Sequence, residues 1–246
     1  MNQEVSVPNT ALGRVIKISE ELCDTPLDLD LSTAFEQAFG MENASTGELL
    51  LGISTFIQEI EKAKVEIQRH TEFSESIYLH HFEKLESFIG YASLDRKWSH
   101  VAARFPKSSI ESLTIFDDLV KKKTSLTSIP ISDIKDIRNE LIKIQDQIIN
   151  SEIEDDLKII LLDNIQIIIN SITNYQICGL KGIESAYERV AGSLIIRKKA
   201  VEKASENAKS KNEIAGFWKA LEKVHKLIDA ANGARDLIAP LSTLLN

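Results

Sequence analysis

A chain of 246 residues, 43% apolar and 27% charged, can bury a sizeable core and excludes wholesale disorder. Ten Gly and five Pro are too few turn formers for an all-β chain, and the only cysteines, Cys23 and Cys178, cannot make a disulfide framework. The net charge of −8 is uneven: from Lys181 onward twelve Lys+Arg stand against eight Asp+Glu, and the preceding body, at −12, argues against nucleic acid as the main partner.

The expected fold is all-α, a helical bundle made of two packed helical subdomains, residues 1–127 and 128–246, the second ending in a basic amphipathic tail. After a loose start over residues 1–9, a short helix is expected over Ala11–Leu22, broken by Cys23-Asp-Thr-Pro26 because proline lacks a donor and disfavours helix before it. Ser32–Phe39 forms a further short helix that Gly40 ends. Ser45-Thr-Gly-Glu48 reads as a capping box. Leu49, Ile53, Phe56, Ile60, Ala63 and Ile67 then mark one face of a long helix. Tyr78, Phe82, Leu85, Ile89 and Ala92 do the same for Glu72–Ala92, and the short link predicts an antiparallel pair.

Asp95–Phe105 is set apart by its aromatic and basic residues and stops at Pro106. Ser108-Ser-Ile-Glu111 reads as a second capping box, opening a helix to about Lys123, where Lys121-Lys-Lys123 suits the negative helix pole. Thr124–Ile131, rich in Ser and Thr, is the expected subdomain boundary. Ile134, Ile137, Leu141, Ile144 and Ile148 space as a short heptad seam. A third capping box, Ser151-Glu-Ile-Glu154, starts a helix to about Ile177 that is apolar around most of its circumference and therefore needs cover on more than one side. Gly179 is expected to cap it. Helices over Ile183–Ala200 and from Asn212 follow, separated by the Lys/Glu/Ala-rich stretch Lys198–Lys211, and Gly233 and Pro240 fray the last.

No catalytic motif, cofactor loop or metal motif emerges. His80-His81 with Glu83 and Glu86 lacks the paired Glu-x-x-His of a di-iron bundle and the His-Glu-x-x-His of a zinc enzyme. Gly179, Gly182 and Gly192 match no nucleotide loop. Arg96, Trp98, His100 and Arg104 form a candidate polar site. Its Arg/His pair resembles in type that of small helical ribonucleases of the HEPN kind, but only three residues intervene here and the pattern does not match. On a helix Arg96 and His100 would share a face, which offers a phosphate contact or a general acid. A buried Trp anchor flanked by solvated cations is the structural alternative. Candidate interface residues are Ile165 and Ile169, on the doubly apolar helix, and Phe217, Trp218, Leu221, Val224 and Ile228 on the tail, opposite Lys219, Lys223 and Lys226.

Leu141-Ile142, Ser151, Asp156-Leu157-Lys158, Tyr175, Gly179, Gly182 and Gly192, with Phe217-Trp218-Lys219, resemble a pattern found in uncharacterised bacterial all-helical proteins. That resemblance covers about half the chain, implies a bacterial origin and carries no activity. The absence of a basic-then-apolar N-terminal run and of an apolar stretch of about 18 residues leads to the expectation of a reduced, cytoplasmic protein. The functional expectation is a non-enzymatic interaction or regulatory component, for instance of a bacterial toxin–antitoxin or anti-phage defence locus, with a protein partner or a second copy of itself. The alternatives are an effector that meets a membrane surface through the C-terminal helix, and an enzyme with a site near Trp98–Arg104.

Overall fold

The structure, a computed structural model, describes residues 7–41, 43–122, 131–198 and 211–232. Among them it is all-α, with no strand beyond a single bridge between Asp30 and Lys97. Two compact units emerge: Val7–Leu126 together with Gln176–Gly179, and Thr127–Tyr175 together with Leu180–Asn246. The expected boundary at Thr124–Ile131 and the linker at Lys198–Lys211 fall almost wholly outside the described residues, as do Lys123, Gly233 and Pro240.

In the first unit, α1 (Ala11–Cys23) is capped by Thr10, whose hydroxyl accepts from Gly13 N, and ends three residues before Pro26. Helix α2 (Leu31–Ala38) is followed by Gly40, whose φ of 64° is the left-handed turn glycine tolerates best. Helix α3 (Thr46–His70) opens on the expected capping box: Ser45 accepts from Glu48 N while the Glu48 carboxylate takes the Ser45 N–H at 2.8 Å. Helix α4 (Glu75–Tyr91) folds back on α3, with Gln68 bonded to Glu75 and Lys64 to Glu86, pairs that run in opposite directions along the two helices. Helix α5 (Lys107–Lys121) starts before the expected capping box. Pro106 takes the N-cap, its carbonyl accepts from Ile110 N, and Ser108 lies inside the first turn.

Helix α1 is the centre of this unit, packed on α2, α3 and α5, with Leu12, Val15 and Leu22 fully buried. Beside them is a buried ionic hub. The Arg14 guanidinium donates to Glu59, and also to the carbonyls of Pro8, Asn9 and Ile177 at 2.9, 2.9 and 3.1 Å. Lys62, half exposed, adds a second cation at 3.0 Å from Glu59.

In the second unit, α6 (Ile131–Ile149) buries Ile134, Ile137, Leu141, Ile144 and Ile148, the expected seam, against α7 (Asp155–Thr173) and α9 (Lys211–Asn232). Ser151 does not cap α7. Its hydroxyl donates to Ile148 O and so closes α6, while Glu154 stands at the α7 N-cap. The helix expected to reach Ile177 stops at Thr173, and α8 (Tyr175–Ile196) begins after Asn174. Gly179 is no helix cap. It breaks α8 internally with φ 60° and ψ −162°, because the Arg14 guanidinium occupies the space a side chain would need, 2.7 Å from the position of a Cβ. Helix α7 is covered less completely than its composition implies: Leu161, Ile165 and Ile168 are fully buried, but Ile159 is 57% exposed.

Candidate functional site

Three aromatic rings fix the segment after α4. Phe88 of α4 meets Phe105 at 4.9 Å and Trp98 at 5.8 Å, edge to face, and Trp98 meets Phe105 at 5.7 Å. Leu31 N donates to Arg96 O and Trp98 N to Leu29 O, each at 2.7 Å, which ties this stretch to the loop before α2. These constraints turn residues 98–104 into two 3-10 turns, Trp98–His100 and Ala102–Arg104, instead of an α-helix. Arg96 and His100 therefore do not share a helix face, since Lys97 between them is extended. Trp98 is a core residue, whereas its neighbours Arg96, Lys97, Ser99 and His100 are exposed.

What the two turns build, together with the outer face of α4, is a groove of about 500 Å³. His80, Lys84, Ser87 and Tyr91 enter it from successive turns of α4, Arg104 and Pro106 from the opposite wall. Tyr91 is its centrepiece. The Arg104 guanidinium lies 4.0 Å from the ring centroid, the Arg96 guanidinium 5.3 Å away, and Arg96 Nη1 donates to the Tyr91 hydroxyl at 3.2 Å. That hydrogen bond, aided by the nearby Arg104 and Arg96 charges, holds the Tyr91 phenol below its ordinary pKa. His81, behind the groove, is held low by burial and then by His80 and Lys84. Among the described residues Lys84, Arg96, Lys97 and Arg104 form no ion pair, whereas Lys17, Lys62, Lys64, Lys121, Lys223 and Lys226 all do. Of the four residues singled out in sequence, Arg104 lines the groove, Arg96 stands over Tyr91, His100 is exposed outside the lining, and Trp98 is buried beneath. Tyr91 and Lys84 were missed. The signal was the recurrence of His80, Lys84, Ser87 and Tyr91 on the non-core side of α4.

The histidine pair holds no donor cluster: the His80 and His81 rings stack at 3.7 Å, Glu86 is taken by Lys64 at 2.6 Å, and no group of three metal-ligating side chains occurs among the described residues.

The candidate interface residues are placed inside the second unit. Ile165, Ile169, Phe217, Leu221, Val224 and Ile228 are all buried, and Trp218 is half-buried with its ring 5.4 Å from Phe217. The apolar face of α9 thus packs on its own bundle, because α6 offers a matching seam. No described helix is long and apolar enough to cross a membrane. An apolar face does remain uncovered on α3: Leu50 is 55% exposed, Leu51 44%, Ile57 40% and Val65 40%. The residues between them on that face are Ser54, Gln58, Glu61 and Gln68, and Glu61 is already bonded to Lys64 at 2.8 Å.

No protein-family model, curated protein or solved structure matches the chain.

Proposed function

We propose that this protein is a non-enzymatic helical interaction component that receives a helix of a protein partner along the outer face of α3. The supporting observation is the row of exposed aliphatic side chains, Leu50, Leu51, Ile57 and Val65, on a helix whose opposite face is already buried in the core. Leu50, Ser54, Ile57, Glu61, Val65 and Gln68 follow spacings of three and four, the register in which a second helix lays its own apolar stripe. Outward charge on this face is low, so a helix docking there desolvates few ions.

The test is the double substitution Leu50→Asp, Ile57→Asp. At exposed positions each change alters folding by roughly 0.5 kcal/mol or less, so the melting curve should stay put while binding is lost. Affinity purification from the native cell should lose the partner with this variant and keep it with Ile159→Asp, an equally exposed site in the second unit. Light scattering distinguishes a second copy of the chain as the partner. Unchanged partners and unchanged mass would refute the reading. Within it, a component of a bacterial toxin–antitoxin or anti-phage defence locus is the specific case proposed, supported by the lack of a catalytic motif beside the uncovered apolar helical surface, and the neighbouring genes test it directly.

A further inference from the structure

We propose that the groove between α4 and the Ala102–Arg104 turn is a binding site for an aryl phosphate monoester, a small ligand with a dianionic head and a flat apolar body. This does not depend on the α3 reading.

The head is argued from the cations. Two guanidiniums are held at one tyrosine ring, 4.0 and 5.3 Å from its centroid, and Lys84 enters from the same helix as Tyr91. None of the three has a carboxylate within ion-pair distance among the described residues, although the Arg96 charge is felt by the adjacent Asp95. Gathering these cations at one place in an acidic protein raises the local positive potential, and the same two guanidiniums, through the Arg96 hydrogen bond first, hold the Tyr91 phenol below its ordinary pKa. Arg96 has one N–H committed to the Tyr91 hydroxyl, and Arg104, stacked on the same ring, also interacts with that hydroxyl while its guanidinium lines the groove. A guanidinium's planar fork matches phosphate oxygens two at a time. A monocarboxylate would answer one of the two cations that line the groove, Arg104 and Lys84, and leave the other. The phosphate dianion answers both, with Arg96 adding positive charge from behind Tyr91.

The body is argued from the walls and the size. Tyr91, Pro106 and the edge of Phe88 give the groove apolar sides, and its volume of about 500 Å³ lies within the range for small-molecule sites, roughly 300–1,000 Å³. A polyanion is disfavoured, because the segment that builds the groove, residues 7–126, carries thirteen Lys+Arg against nineteen Asp+Glu and repels extended negative charge. Glu83 is the single acidic side chain in the lining, and it opposes the head.

The probe is phenyl phosphate, titrated calorimetrically into the full chain at low ionic strength, with Tyr91 and histidine signals followed by NMR. Saturable binding is expected. Arg104→Gln and Lys84→Gln should each weaken it by about tenfold, Glu83→Gln should tighten it, and Lys143→Gln, a charge control outside the groove lining, should leave it unchanged. Inorganic phosphate should bind more weakly than phenyl phosphate, because it leaves the apolar walls unused. Circular dichroism of the variants checks the fold, and Arg104→Lys, which keeps the charge but loses the fork, should bind between wild type and Arg104→Gln. Absence of saturable binding, or equal affinity in wild type and Arg104→Gln, overturns the proposal. So does equal affinity for inorganic phosphate, or binding confined to vesicles containing a phosphoinositide.

Discussion

Replacing Arg14 by Met should be among the most damaging single changes in the first unit. Its guanidinium is 4% exposed and the Glu59 carboxylate is fully buried. Removing the guanidinium leaves that carboxylate with Lys62 alone, whose ammonium is about half exposed at 3.0 Å, and strips donors from the carbonyls of Pro8, Asn9 and Ile177. Breaking a buried pair costs about 3–5 kcal/mol. The surviving Lys62 reduces the loss and the orphaned carbonyls add to it, which leaves about 4 kcal/mol. For a unit of this size that is a fall in melting temperature of roughly 10–20 °C. Trp98 fluorescence in a Trp218→Phe background reports this unit specifically, since Trp98 lies in its core. Arg14→Met with Glu59→Met removes both charges, and most of the lost stability should return, because an apolar pair can replace a buried ionic one. The reasoning fails if Arg14→Met melts within two or so degrees of wild type, or if the double variant is no more stable than the single.

Burial and the nearby Glu59 push the Cys178 thiol from 9.0 up to about 11, whereas Cys23 is only half-buried. The folded protein holds the Cys178 proton where the unfolded chain has released it, so stability is intact below about pH 9 and falls as pH rises toward about 11, by on the order of 2–3 kcal/mol. Denaturant melts across that range should show the decline, and Cys178→Ala should flatten it. A thiol reagent at pH 8 should modify Cys23 first and reach Cys178 only with unfolding; labelling of both at one rate would contradict the burial. In the second unit, Ile165→Asp places a charge at a fully buried position and should cost several kcal/mol, whereas Ile159→Asp, at a site 57% exposed, should be nearly neutral by calorimetry. Similar melts for the two would mean that α7 has no preferred inner face.

Much of the fold was legible because periodicity reports burial directly. The α6 seam and the inward faces of α3 and α4 read off the spacing of Ile, Leu and Phe, and Ser45-Thr-Gly-Glu48 identified a real cap. The same Ser-x-x-Glu pattern misled at Ser108 and Ser151. In the first case Pro106 had already supplied the N-cap, and in the second the hydroxyl was drawn back to Ile148 O. Local sequence cannot decide between such competitors. Gly179 failed for a related reason: its conformation answers to Arg14, 165 positions earlier. The groove was half visible. The cations of Arg96 and Arg104 stood out, but the tyrosine that gathers them arrives from another element, and Trp98, conspicuous in sequence, turned out to be the anchor beneath.

The placement of Gln176–Gly179 with the first unit has a consequence during synthesis. That unit is otherwise complete at Leu126, yet Ile177, fully buried in its core, is made about fifty residues later. At roughly 5–20 residues per second, a ribosome would take several seconds to supply it. Through that interval the emerging N-terminal helices keep an unfilled apolar slot, and Arg14 lacks its Ile177 acceptor. The nascent chain is thus a natural client for a chaperone, and a fragment ending at Leu126 would stay in that unfinished condition indefinitely.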